Sequence, residues 1–118
     1  MVELIKFRYK KSYKDRCEES TKCIKEYPDR VPVICEPSTK KCPAIDKVKY
    51  LVPRNLSICQ FLYVIRGRIS IKPDEALFLF INGNTVNLSN KLGNIYEIYK
   101  NVDGFLYTSY ASENTFGS

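Results

Sequence analysis

The stretch Ser57-Ile58-Cys59-Gln60-Phe61-Leu62-Tyr63-Val64-Ile65-Arg66-Gly67-Arg68-Ile69, "SICQFLYVIRGRI", decides the fold. Ser57 followed three residues later by Gln60 is a capping-box pattern, in which two side chains satisfy amides that a helix start leaves open. Ile58, Phe61, Leu62, Ile65 and Ile69 then recur at spacings of three, four and seven, which puts them on one face of a helix. Gly67 lies inside this pattern and is expected to cost the helix about 1 kcal/mol relative to alanine. A helix with one apolar face needs a surface to cover, and the flanking segments supply it.

Upstream, Val31 to Glu36, "VPVICE", is a β-branched run between turn-prone segments. It reads as a strand, with Pro32 marking an edge or bulge position. "PSTKKCP" (Pro37 to Pro43) is a loop, and "KYLVP" (Lys49 to Pro53) a second strand able to pair with the first in a hairpin. Downstream, "LFLFI" (Leu77 to Ile81) is a continuous apolar run, expected as a strand buried on both faces. Asn82-Gly83 then supplies a tight reversal of type I′ character. Leu92 to Tyr99 reads as a short helix, Asp103-Gly104 breaks it, and "FLYTSY" (Phe105 to Tyr110) is the last strand. Ahead of all this, Tyr13 to Tyr27 contains no Gly or Pro and is stopped by Pro28, which predicts one or two helices. The order helix, strand, strand, helix, strand, helix, strand predicts an α+β β-grasp: a small mixed sheet with a helix laid across one face. At 118 residues the chain is one domain's worth. Residues from about 1 to 29 form a helical extension, 30–112 the grasp core and 113–118 a flexible tail.

Composition narrows the function. The hydrophobic content of 44% suffices for a core without disulfides. The five cysteines (Cys17, Cys23, Cys35, Cys42, Cys59) are odd in number, hold no C-x-x-C pair and have no histidine to join them. A zinc site is therefore not expected, and the cysteines are expected to be small hydrophobes or exposed thiols in a reducing compartment. Without histidine no Ser-His-Asp or Cys-His pair can be assembled, which argues against an enzyme. The N-terminal "MVELIKFRYKKSYKDR" lacks the apolar core of a signal peptide, and no run reaches the ~18 apolar residues that cross a bilayer. A soluble protein is expected, its two Asn-x-Ser sequons at Asn55 and Asn87 accidental. The net charge is +6, and residues 1–25 hold eight Lys/Arg against four Asp/Glu. Such an excess suits anionic lipid or an acidic protein surface, or is simply a solvated helix face.

In chain order, "RVPVICE", "IDKVKYLVP", "QFLYVIRGRI", "ALFLFING", "DGFLY" and "ENTFG" together resemble the autophagy-related ubiquitin-like modifiers of the GABARAP type. The resemblance runs from about Tyr13 to Gly117. It implies a ubiquitin-like β-grasp preceded by two helices. It also implies that the C-terminal glycine is joined covalently to phosphatidylethanolamine. On that pattern a processing cysteine protease removes Ser118. Activating and conjugating enzymes then carry Gly117 through thioesters to the lipid amine, with Phe116 as an apolar grip. Glycine suits such chemistry because, lacking Cβ, it passes a narrow channel and leaves its carbonyl open to attack. Two acyl chains suffice for stable anchoring where one is marginal.

The resemblance further implies docking of short aromatic-x-x-aliphatic peptides of cargo receptors and adaptors, added as a strand along "KYLVP". The aromatic pocket would be lined by Glu19, Cys23, Pro32, Ile34, Lys49, Leu51 and Phe105. The aliphatic pocket would use Tyr50, Val52, Pro53, Leu56, Phe61 and Val64, with Lys49, Arg66 and Arg68 available to acidic flanks. Strand alternation supports the division, since Lys49 and Leu51 share one face while Tyr50 and Val52 share the other. Cys23 stands where the family usually has a branched aliphatic, and Gly67 where it has a basic residue. No cofactor, metal or nucleic acid is expected. The protein is expected as a cytoplasmic monomer that moves to the autophagosome or another organelle membrane once lipidated. The competing expectation is an unconjugated trafficking or cytoskeletal adaptor that uses the same groove and the basic helices.

Overall fold

The computed structural model describes residues 6–116. Its elements are α1 (Phe7–Lys10), α2 (Tyr13–Glu26), β1 (Arg30–Pro37), β2 (Lys49–Pro53), α3 (Ile58–Arg66), β3 (Leu77–Ile81), β4 (Asn84–Thr85), α4 (Leu92–Tyr99), β5 (Leu106–Ser112) and α5 (Glu113–Phe116). The five strands lie in the order β2-β1-β5-β3-β4. β1 runs parallel to β5, and every other pairing is antiparallel. This is the α+β β-grasp expected from the sequence, with α1 and α2 in front of it.

The local signals account for the helices. Ser57 Oγ accepts from the Gln60 amide at 3.1 Å, and Gln60 Oε1 accepts from the Ser57 amide at 2.9 Å, so the capping box is complete. At the other end α3 stops at Arg66 and Gly67 occupies the C-cap with φ −70°. Gly67 is thus not an interior residue, and the cost expected for one does not fall on α3. Ile69 lies past the helix but still packs against the core. α2 begins at Ser12, whose Oγ accepts from the Asp15 amide at 3.1 Å. Asn82 (φ 53°) and Gly83 (φ 78°) make the I′ turn between the paired Ile81 and Asn84.

Two strand expectations are corrected. β1 is a central strand, with β2 on one side and β5 on the other. Pro32 is tolerated because the β5 ladder starts only at Val33, so Pro32 has a single neighbour, Leu51 of β2. β3 is not buried on both faces. Leu79 and Ile81 enter the core, while Phe78, on the opposite face, is 38% exposed. The tail expected for 113–118 is a helical turn over Glu113–Phe116. Gly117 and Ser118 lie outside the described residues.

The main core lies between one sheet face and α3 with α4. Val31, Val33, Cys35, Leu106 and Tyr110 meet Ile58, Phe61, Ile65, Leu92, Ile95 and Tyr96 there. A smaller cluster on the other face joins Ile34 and Phe105 to Phe7 of α1, the two phenyl rings edge-on at 5.3 Å. Cys35 and Cys42 are buried, Cys17 and Cys23 half-buried and Cys59 exposed. Burial pushes the Cys35 thiol up to about 12, so it stays protonated and inert.

Candidate docking edge and C-terminal tail

β2 is the outer strand of the sheet. Its inner side is occupied by β1, from Arg30↔Pro53 to Ile34↔Lys49. An outer strand presents a row of amides and carbonyls to which an extended peptide can add. Several of the residues named from the sequence lie on the two sides of this strand, and the two sides differ.

Toward α2 stand Lys49 and Leu51, opposite Ile34 and Pro32 of β1. Ile34 and Phe105 are fully buried beneath them. Glu19 of α2 reaches across to pair with Lys49 and also holds Lys11 at 2.9 Å. Burial works to raise the Glu19 carboxyl. The hydrogen bonds from Lys49 and Lys11 outweigh it and hold Glu19 below the usual range. Cys23, one helical turn further along α2, is half-buried, and burial followed by the Glu19 charge raises its thiol. Cys23 is therefore a neutral thiol and a poor nucleophile.

Toward α3 stand Tyr50 and Val52, 5% and 6% exposed. The Tyr50 ring meets Phe61 edge-on at 5.6 Å, and its hydroxyl donates to the Lys47 carbonyl at 2.6 Å. Burial pushes that hydroxyl up to about 12. Tyr50, Val52 and Phe61 are core residues that support this side from within. The accessible apolar surface is Pro53, half-buried Leu56 and Val64.

The cations named from the sequence are already engaged. Arg66 donates to the carbonyls of Glu75 (2.8 Å) and Lys72 (3.4 Å), which fastens the turn after α3. Arg68 pairs with Asp46 at 3.2 Å, and Lys49 with Glu19. Arg68 and Lys49 are exposed and can exchange partners, whereas Arg66 is half-buried. Lys11, Asp46 and Glu75 were not legible as site residues, because their partners Glu19, Arg68 and Arg66 lie 8, 22 and 9 positions away and no local motif marks them. Among the described residues no group of His, Cys, Asp and Glu can hold a metal ion. A cavity of about 220 Å³ lies away from β2, between the start of the chain and β3 and β5, lined by residues that include Arg8, Phe80 and Tyr107. Phe116 closes α5, and Gly117 follows outside the described residues.

A mixed sheet grasping one capped helix, with two helices ahead of it, defines a ubiquitin-like protein. The model of the family described as "Autophagy protein Atg8 ubiquitin like" matches residues 15–117. The chain is 46% identical over 112 residues to an autophagy-related protein 8 of Mycosarcoma maydis, covering 94% of this chain and 95% of that one. It is 48% identical over 108 residues to the protein of the same name from Schizosaccharomyces pombe, covering 91% and 89%. The crystal structure of Trypanosoma brucei ATG8 superposes with a TM-score of 0.87 at 33% identity, over 94% of this chain and 97% of that chain. The chain belongs to the Atg8 family of autophagy-related ubiquitin-like proteins.

Proposed function

We propose that this protein is a modifier conjugated through Gly117 to phosphatidylethanolamine, after removal of Ser118, and that it recruits receptors and adaptors to the membrane so marked. The observation that carries the docking half is the open outer edge of β2 between two unlike flanks. A peptide strand bonds to that edge, its aromatic anchor falls on the Glu19–Cys23–Leu51 side and its aliphatic anchor on the Pro53–Leu56–Val64 side. Two anchors at ~1.5–3 kcal/mol each, less an association cost of several kcal/mol, give micromolar affinity, which clustering on a membrane multiplies. Lys49 leaves Glu19 to meet an acidic flank. Gly117 carries the conjugation half, activated and transferred by other enzymes.

The test is the intact mass of the protein recovered from membranes of its own cells. The expected species lacks Ser118 and carries phosphatidylethanolamine. A membrane species that keeps Ser118 and has no lipid would refute conjugation and favour the unconjugated adaptor. For docking, Leu51→Ala should weaken an aromatic-x-x-aliphatic peptide at least about tenfold by calorimetry with thermal stability kept. Unchanged affinity would remove the pocket assignment.

A further inference from the structure

The last paired residues of β3 and β5 are Leu77 and Ser112. One step further the two segments stay tied by different means. The Glu113 amide donates to the Ala76 carbonyl at 3.0 Å, as a continuing ladder would. The return bond runs from the Ala76 amide to Glu113 Oε1, also 3.0 Å, because the main chain has turned into α5. The Glu113 carboxylate stands in for a main-chain carbonyl. Beside it the buried Glu75 carboxylate accepts from the Lys72 amide at 3.4 Å, and the nearby Ser112 hydroxyl, with the Lys72 and Asn114 amides, holds it below its ordinary range against its burial. Arg66 grips the Glu75 carbonyl from the end of α3. Glu113 is thus fastened to Ala76 by two bonds, and Ser112 and Asn114 stand at the Glu75 carboxylate.

We propose that this fastening is a latch on the tail, which an enzyme acting at Gly117 has to open. The proposal rests on the conjugation reading above. Chain length gives the latch its effect. From Asn114 to Gly117 an extended chain spans at most about 10 Å, and from Ser112 about 17 Å. While 113–116 stays helical the rise is only ~1.5 Å per residue. A buried enzyme centre reached through a narrow channel needs the extended form, so opening the latch precedes chemistry and its strength sets the rate.

The experiment measures cleavage of the Gly117–Ser118 bond by the processing cysteine protease of the same cells, on the full chain and on Glu113→Ala, Glu113→Gln and Glu75→Ala. Amide exchange at Asn114 is followed in parallel. Glu113→Ala should raise kcat/KM by roughly threefold to tenfold, the scale of one or two lost hydrogen bonds. Glu113→Gln keeps an acceptor oxygen and should fall between it and the parent. Glu75→Ala should speed Asn114 exchange while the amides of β5 keep their protection. A residue that only braced the fold would lower the unfolding temperature without accelerating cleavage. Cleavage unchanged or slowed in a folded Glu113→Ala protein overturns the latch. If the parent is never cut after Gly117, the conjugation reading fails, and the latch then stands or falls on Asn114 exchange alone: faster in Glu75→Ala supports it, unchanged overturns it.

Discussion

On one face of the sheet Ile58, Phe61 and Ile65 of α3 are fully buried against Val31, Val33 and Tyr110, and apolar contact dominates the layer, its tyrosine hydroxyls bonded to backbone carbonyls. On the other face the small Phe7–Ile34–Phe105 cluster is joined by a dense set of polar bonds. Asp103, its side chain wholly buried, accepts from Arg16 (2.7 Å) and from the Tyr107 hydroxyl (2.5 Å) through Oδ2, and from the Phe105 amide (2.9 Å) through Oδ1. Ser20 of α2 donates to the Asp103 carbonyl at 2.6 Å. Glu36 takes the Phe7 amide at 2.7 Å, and Glu19 bridges α2 to Lys49. The difference teaches how an added layer is attached to a finished grasp. Apolar contact scales with area and tolerates many neighbours. Directed bonds hold α2 in one register but leave imperfections, such as the Arg16 Nε, buried without a partner among the described residues. The polar layer is also the one that salt and pH can reach.

The contrast can be broken at three places. Phe61→Ala strikes the hydrocarbon layer and should cost about 3–5 kcal/mol, read as a lower urea midpoint for the whole domain. Asp103→Asn removes the charge shared by Arg16 and Tyr107 and should cost about 2 kcal/mol, since it leaves a largely buried guanidinium unpaired. If Asp103→Asn cost as much as Phe61→Ala, the two layers would be equally essential and the distinction would fall. Glu19→Gln is the smallest change, about 0.5 kcal/mol at pH 7, because its lysine partners are exposed. The folded Glu19 carboxyl is held below its ordinary value of 4.5. Its contribution is therefore present above that pH and is lost as pH falls through the folded value. Denaturation of parent and Glu19→Gln should differ at pH 7 and converge in acid, whereas the Phe61→Ala deficit should persist.

Sequence reading reached what is local. Ser57 and Gln60 announced α3, Asn82-Gly83 announced its hairpin, and "KYLVP" has the bounds read for it. It failed where a neighbour decides. "LFLFI" is apolar throughout, yet its Phe78 face is only partly covered. Pro32 suggested an edge or bulge position, while the stagger between β2 and β5 places it inside a central strand. For the proposed docking edge, alternation along β2 separated its two faces, Lys49 and Leu51 on one and the buried Tyr50 and Val52 on the other. It did not distinguish Tyr50, a core residue, from Leu51 beside it, nor foresee that Arg66 is committed to two carbonyls. Those outcomes depend on groups far away in the chain.

The parallel pairing of β1 with β5 has a consequence for biosynthesis. Val33 finds its partner Leu106 only after most of the chain has left the ribosome, and until then β1 has β2 alone beside it. β5 is both the middle strand of the sheet and the base from which the tail leaves. A nascent or truncated chain that stops short of residue 106 has neither a closed sheet nor a tail to offer. The strand order therefore makes closure of the sheet wait for β5, the last strand to be synthesised.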